Sequence, residues 1–163
     1  MSLIETSPLA TKSATAAAIL GLADAASQQV ESSRSAKPKR FSLPRAGRFA
    51  VFGLVLQGPW NHFYFLLLDA LLPPTANPLS ATTFVKAGID QLVQAPLFTV
   101  LIFLFLGALE GKPLPAIRAQ LESSYWPTIK KNWLLWVPAT VVNLGFVPPE
   151  LRVLYINVVS FAW

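Results

Sequence analysis

The stretch QLVQAPLFTVLIFLFLGAL, Gln91 to Leu109, contains no Asp, Glu, Lys or Arg. A helix crosses the hydrocarbon of a bilayer with about 20 mainly apolar residues, in a range of roughly 17 to 25. The stretch falls within that range and reads as a membrane span. Phe49 to Leu68 and Asn132 to Pro149 are of similar length and equally free of charge. With their flanking turns these give predicted spans over 46–71, 81–109 and 132–148. The segment Ala10 to Val30 is less plain, because it holds Asp24, Gln28 and Gln29. At about 100° per residue, Ala14, Ala17, Gly21, Asp24, Ala25 and Gln28 share one stripe, with Ile19, Leu22, Ala26 and Val30 opposite. Small residues let helix backbones approach closely in lipid, so 10–30 is expected to be a span packed through its small face. An amphipathic interfacial helix is the alternative.

Between the last two spans, Leu114, Ile117, Leu121 and Tyr125 recur at helical spacing beside Arg118 and Glu122, a pattern suited to a helix lying on the membrane. Val147-Pro148-Pro149 separates the last span from a short apolar segment, 150–163. The predicted fold is all-α. It is a polytopic membrane helix bundle of about four spans, proline-kinked, with an interfacial helix and a short C-terminal membrane-embedded helix. All of it forms one integral membrane domain over 1–163.

Composition agrees. Of the 163 residues, 53% are apolar and only 13% charged, against about 25% charged in an ordinary soluble domain. Mean hydropathy is +0.50. Cysteine is absent, which excludes disulfides, thiolate catalysis, iron–sulfur clusters and sulfur-ligated zinc. One histidine leaves few routes to a metal site. No Gly-x-Ser-x-Gly, His-Glu-x-x-His or phosphate-cradling glycine loop occurs, so the sequence points to no enzyme, no catalytic residue, no metal and no cofactor.

The net charge of +5 is concentrated in loops. Arg34, Lys37, Lys39, Arg40, Arg45 and Arg48 lie between the first two spans, and Lys112, Arg118, Lys130 and Lys131 between the third and fourth. With four spans these loops share one side of the membrane. They read as topology signals, with anionic lipid expected at Arg34, Lys37, Lys39, Arg40, Lys130 and Lys131 rather than nucleic acid. Only Lys12 is basic ahead of Arg34, unlike an Arg-rich transit peptide, so internal targeting is expected.

Polar groups at membrane depth are costly unless paired or wet. Gly58, His62, Phe65 and Asp69 line one face of the second span, with Asn61 beside them. Thr83, Ala87, Asp90 and Gln94 line the third, with Gln91 adjacent, and Trp136, Thr140, Asn143 and Val147 the fourth. Arg152 opens the final segment. Asp24, Gln28, Asn61, His62, Asp90, Gln91, Gln94, Asn143 and Arg152 are therefore the candidates for a pore lining or a polar bundle interior. Structural roles compete with this: Asp24 and Gln28 as helix–helix glue, Asp90 paired with Arg152, His62 as a packing residue. Asp69 and Arg48, near span ends, are expected at the interface. Pro59, Pro96 and Pro138 free the carbonyls of Val55, Leu92 and Leu134, which predicts kinks and a hydrated interior. A short echo, Leu54-Val55-Leu56-Gln57-Gly58-Pro59 against Leu92-Val93-Gln94-Ala95-Pro96, hints at a repeat.

Together these residues resemble the family of the 22-kDa peroxisomal membrane protein, which includes a mitochondrial inner-membrane protein linked to mitochondrial DNA maintenance. Ala23-Asp24 with Gln28-Gln29 is similar to the family's Gly-Asp-x-x-x-Gln, and Gly58-Pro59-Trp60-Asn61-His62 to its Gly-Pro-x-x-His, with Tyr64-Phe65 where Trp-Tyr is usual. Asp90-Gln91 with Pro96 resembles the third-helix signature. Asn132-Trp133, Trp136, Asn143, Val147-Pro148 and Arg152 keep the C-terminal spacing, with Trp163 where the terminal Trp is expected and the family's Leu-Ser ending missing. Val137-Pro138, Thr140 and Leu144 depart from the usual Trp-Pro, Gln and Phe. The resemblance implies a four-span protein of a peroxisomal or mitochondrial inner membrane; a plastid address also fits the N-terminus. Pore formation for small solutes is attributed to some members. Two functions follow as expectations: a passive channel for small polar solutes, or a structural or accessory subunit of a larger membrane complex. The partners expected are membrane lipids, with a homo-oligomer or such a complex.

Overall fold

The computed structural model describes residues 6–35 and 40–162, and among these every regular element is helical. In chain order they are α1 (Pro8–Arg34), α2 (Leu43–Phe52), a π-turn (Gly53–Gln57), α3 (Gly58–Leu71), α4 (Ala81–Ile89), a second π-turn (Asp90–Gln94), α5 (Ala95–Leu109), α6 (Leu114–Phe146), a 3₁₀ turn (Pro149–Leu151) and α7 (Arg152–Ala162). Their ends follow local chemistry. Pro8 opens α1, where its missing N–H is an orphan in any case. Ser42 Oγ accepts from the Arg45 N–H at 3.4 Å and Ser80 Oγ from the Thr83 N–H at 3.2 Å, capping α2 and α4. Gly111 follows α5 at φ +71°, the left-handed conformation that only glycine enters cheaply.

The helix Ala81–Leu109, formed by α4, its π-turn and α5, is 29 residues long. Among the described residues it is the one helix long and apolar enough, by length and composition, to cross a membrane. Along 43–71 the polar Gln57, Asn61 and His62 dilute the apolar run, and α1 and α6 both carry charges.

One expectation is corrected. The interfacial helix and the fourth span are a single element, α6, of 33 residues with Pro127 and Pro138 inside it. At about 1.5 Å per residue it is roughly 50 Å long, so the chain does not break where its charge changes. The prolines show a further local feature. At Pro59 and Pro96 the preceding turn widens to π geometry: the Gly58 N–H reaches Gly53 O and the Ala95 N–H reaches Asp90 O. Each donor is the last N–H before a proline, bonded five residues back. An extra residue is thereby absorbed before the ring. Pro138 has no such turn.

Packing divides into two compact units, Met1–Tyr64 with Val153–Trp163, and Phe65–Arg152. In the first, α1 packs against α2 and the first π-turn. Its buried line is Ser13, Ala16, Leu20, Asp24 and Gln28. The expected stripe kept Asp24 and Gln28, but Ala14 is exposed and Ala17 only half-buried. The contact is rotated towards Ser13 and Ala16, which lie directly on Gly58 and Gly53. In the second unit α4 and α5 pack against α6, with Ile117 against Gly107 and Gly145 against the Pro78 carbonyl.

Candidate functional site

Within the first unit, Asp24 has its side chain 2% exposed and accepts from Arg45 Nε at 2.8 Å and Gln28 Nε2 at 2.8 Å. Gln28 also clasps the Ser42 backbone, donating to its carbonyl at 3.0 Å and accepting from its N–H at 2.7 Å. Arg45 completes the set with two 2.9 Å bonds to Glu31. The hydrogen bond to Glu31 is the largest influence holding Arg45 above its ordinary pKa; partial desolvation opposes it, and the charges of Asp24 and Glu31 reinforce it. These bonds staple α1 to the start of α2. Deeper in the unit, Gln57 Nε2 donates to Asn157 Oδ1 at 2.9 Å, and Asn61 Nδ2 donates to the Gln57 carbonyl at 2.9 Å. His62 Nδ1 lies 3.4 Å from the Lys12 ammonium.

The second unit holds the larger polar interior. Asp69 receives Arg152 Nη1 on both oxygens, at 2.8 and 2.7 Å, and Lys86 Nζ on Oδ1. Arg152 also donates, at longer range, to the Val147 and Leu144 carbonyls. The expected pairing of Arg152 with Asp90 is thus corrected: its carboxylate is Asp69, near the end of α3. Asp90 instead accepts from Gln91 Nε2 at 2.8 Å and Thr140 Oγ1 at 3.1 Å on Oδ2. Gln91 Nε2 also reaches Thr140 Oγ1 at 3.0 Å, and Trp133 Nε1 donates to the Gln91 carbonyl at 3.0 Å. Gln94 is buried on the same π-turn, and Asn143 is buried three residues beyond Thr140 on α6. Asn143 Nδ2 and Oδ1 and Gln91 Oε1 have no hydrogen-bond partner among the described residues. Such groups cost about 1 to 3 kcal/mol each when left unsatisfied.

The candidates therefore fall into three settings. Asp90, Gln91, Gln94 and Asn143 share one polar interior, Arg152 joins an ion cluster, and Asp24, Gln28, Asn61 and His62 serve contacts within the first unit. Lys86, Asp69, Gln57 and Asn157 were missed as site residues. A lysine four residues before Asp90, and an asparagine in the apolar run Val153 to Ala162, were the available signals. An open apolar groove of about 410 Å³, lined by Val100, Leu121, Glu122, Tyr125 and Trp126, contains none of the candidates. No group of three His, Cys, Asp or Glu side chains able to hold a metal occurs among the described residues.

Burial departs from that of a water-soluble core, because many polar side chains join apolar ones such as Phe52, Leu68, Ile129 and Val153 inside. Asp24, Gln28, Gln57, Asn61, Lys86, Asp90, Gln91, Thr140, Asn143, Arg152 and Asn157 are all buried, while Leu22, Val55, Phe63, Leu67, Leu92, Val93 and Leu134 are exposed. Apolar side chains outside and polar ones inside are the arrangement a bilayer selects.

Known proteins agree with this. Residues 107–163 match the Mpv17 / PMP22 family. The chain is 32% identical to bovine (Bos taurus) peroxisomal membrane protein 2 over 158 residues, 96% of this chain and 79% of the relative. It is 33% identical to PXMP2/4 family protein 4 of Dictyostelium discoideum over 96% of this chain and 82% of that protein. To protein sym-1 of Neurospora crassa it is 31% identical, over 96% and 87% respectively. No solved structure matches the chain. On its many buried polar and exposed apolar side chains and on similarity along nearly its whole length, the chain belongs to the Mpv17 / PMP22 family and is a protein of an organelle membrane.

Proposed function

We propose that the protein is a passive pore for small polar solutes, with about four spans, in a peroxisomal or mitochondrial inner membrane, and that it is not an enzyme. The carrying observation is the polar interior of the second unit. Asp90, Gln91 and Gln94 lie buried midway along the apolar helix Ala81–Leu109, facing Thr140 and the α6 column that continues to Asn143. An ionisable group at that depth in a span is a functional feature by default. Arg34, Arg40, Lys130 and Lys131 are exposed and supply contacts for anionic lipid; Lys37 and Lys39 lie outside the described residues. The second reading, a structural or accessory subunit, is favoured by the Asp24–Gln28–Arg45 staple, in which Arg45 holds Asp24 and Gln28 holds the Ser42 backbone, tying α1 to the start of α2.

Reconstitution into planar bilayers separates the two. Stepwise conductance is the expected result, whereas a silent protein that co-purifies stoichiometrically with a complex would establish the accessory role. Asp90→Asn keeps an acceptor for Gln91 and Thr140 while removing the charge, so the variant is expected to fold and to lose preference for cations, since only the field changes. Unchanged selectivity in a conducting Asp90→Asn variant would take Asp90 out of the pore. Topology has its own measurement. In this cysteine-free chain, single cysteines at Ser35 and Ser123 are expected to react with an impermeant thiol reagent from the same side; reaction from opposite sides would exclude the four-span arrangement.

A further inference from the structure

Asn143 is wholly buried, at 0% exposure, with neither amide atom partnered among the described residues. Gln91, 5% exposed, has its Oε1 in the same condition. The two amides flank Thr140: Gln91 Nε2 donates to its hydroxyl at 3.0 Å, and Asn143 follows it by three residues on the same helical face. Folded proteins leave few such groups without water, an ion or a ligand.

The chemistry they require is specific. Asn143 Nδ2 needs an acceptor, while Asn143 Oδ1 and Gln91 Oε1 need donors. Rotating the Asn143 amide exchanges its atoms and leaves the demand unchanged. Rotating that of Gln91 would set its oxygen against Asp90 Oδ2, now 2.8 Å from Nε2, so that orientation is fixed. A bare cation meets the two oxygens and leaves the N–H groups; an anion does the reverse. Charge points the same way, because the buried Lys86, Asp90 and Arg152 and the partly exposed Asp69 that pairs with both cations balance two against two. No counter-ion is called for.

The geometry points to a binding site at Asn143 and Gln91 for a neutral guest carrying both donors and an acceptor: water, or the hydroxyl or primary-amide end of a small solute. The site stands whether or not the protein conducts. Water has two donors and two acceptors and suits a polar interior of this kind.

Two measurements on the full chain in detergent micelles test it. With a guest bound, Asn143→Leu removes its anchor and strands Gln91 Oε1, so the thermal midpoint is expected to fall by about 3 °C or more, while Val142→Leu at the neighbouring exposed position leaves it unchanged. Without a guest, the leucine replaces two unsatisfied atoms by a hydrocarbon, and a raised midpoint would overturn the site. The second measurement uses the wild-type chain, so a variant that does not fold changes nothing. Nuclear Overhauser cross-peaks from the Asn143 amide protons to water identify water as the guest, and cross-peaks to added ¹³C-glycerol identify a hydroxylated solute. The absence of both overturns the proposal.

Discussion

Asp69→Asn is expected to destabilise the protein by about 3 to 5 kcal/mol, whereas Lys86→Met is expected to cost less than about 1 kcal/mol or to stabilise it slightly. The asymmetry follows from two cations sharing one carboxylate. Lys86 and Arg152 have side chains 3% and 2% exposed, and both are bonded to Asp69, itself 21% exposed. An amide in place of Asp69 leaves two buried cations without their counter-charge. Removing Lys86 leaves Asp69 and Arg152 as a one-to-one pair with both Nη1 bonds intact. Arg118→Gln, which breaks an exposed pair with Glu122, serves as a control expected to show no measurable change. Denaturant unfolding in micelles reads all three, and equal losses for Asp69→Asn and Lys86→Met would refute the shared carboxylate.

The cluster also shows where sequence reasoning stops. Hydropathy reports which solvent a segment prefers, so it finds the apolar helix 81–109 at once. It does not report side-chain pairing between segments. Asp69 stands at the end of a charge-free run, and nothing in that position announces that Lys86 and Arg152 both meet it. Asp90 and Arg152 were matched because both were charged and both were deep; Asp69 took Arg152 instead. The same limit explains α6. Lys130-Lys131 after Pro127 marks a change of solvent and reads as a boundary, yet the backbone continues from Leu114 to Phe146 without a break. Charges alter where a helix is comfortable, not whether its hydrogen-bond ladder can continue.

The echo between Gln57-Gly58-Pro59 and Gln94-Ala95-Pro96 gains physical content from the structure. In both, a π-turn ends two residues before the proline, with a buried glutamine as its last member. Downstream, Asn61 and Thr99 each donate to the carbonyl four residues back, at 2.9 and 2.8 Å. A proline predicts a disturbed ladder, but not whether a π-turn precedes it. At Pro138 the helix continues without a π-turn. What decides it is packing around the turn: Gly53 and Gly58 lie against α1, and Asp90 and Gln91 are bonded to Thr140.

Gly53→Ala and Gly58→Ala are each expected to cost about 1 to 3 kcal/mol, through overpacking rather than through lost contacts. A Cβ at Gly53 would stand 2.6 Å from the Ala16 carbonyl oxygen, and one at Gly58 2.6 Å from Ser13 Cα. Both obstacles are α1 backbone, so no side-chain rotation relieves them and α1 itself must move. The helical controls Gly47 and Gly88 have nothing within 4 Å of an added Cβ. There, alanine is expected to stabilise by roughly 0.5 to 1 kcal/mol, because glycine is the poorer helix former. The sign of the change thus separates close approach from intrinsic propensity. Gly53 and Gly58 meet the same helix, so lifting α1 at one relieves part of the strain at the other. The double variant should lose less than the sum of the singles. Unfolding measurements on the four singles and the double check this. A Gly53→Ala change as benign as Gly47→Ala, or a strictly additive double, would mean that α1 is not seated on the first π-turn.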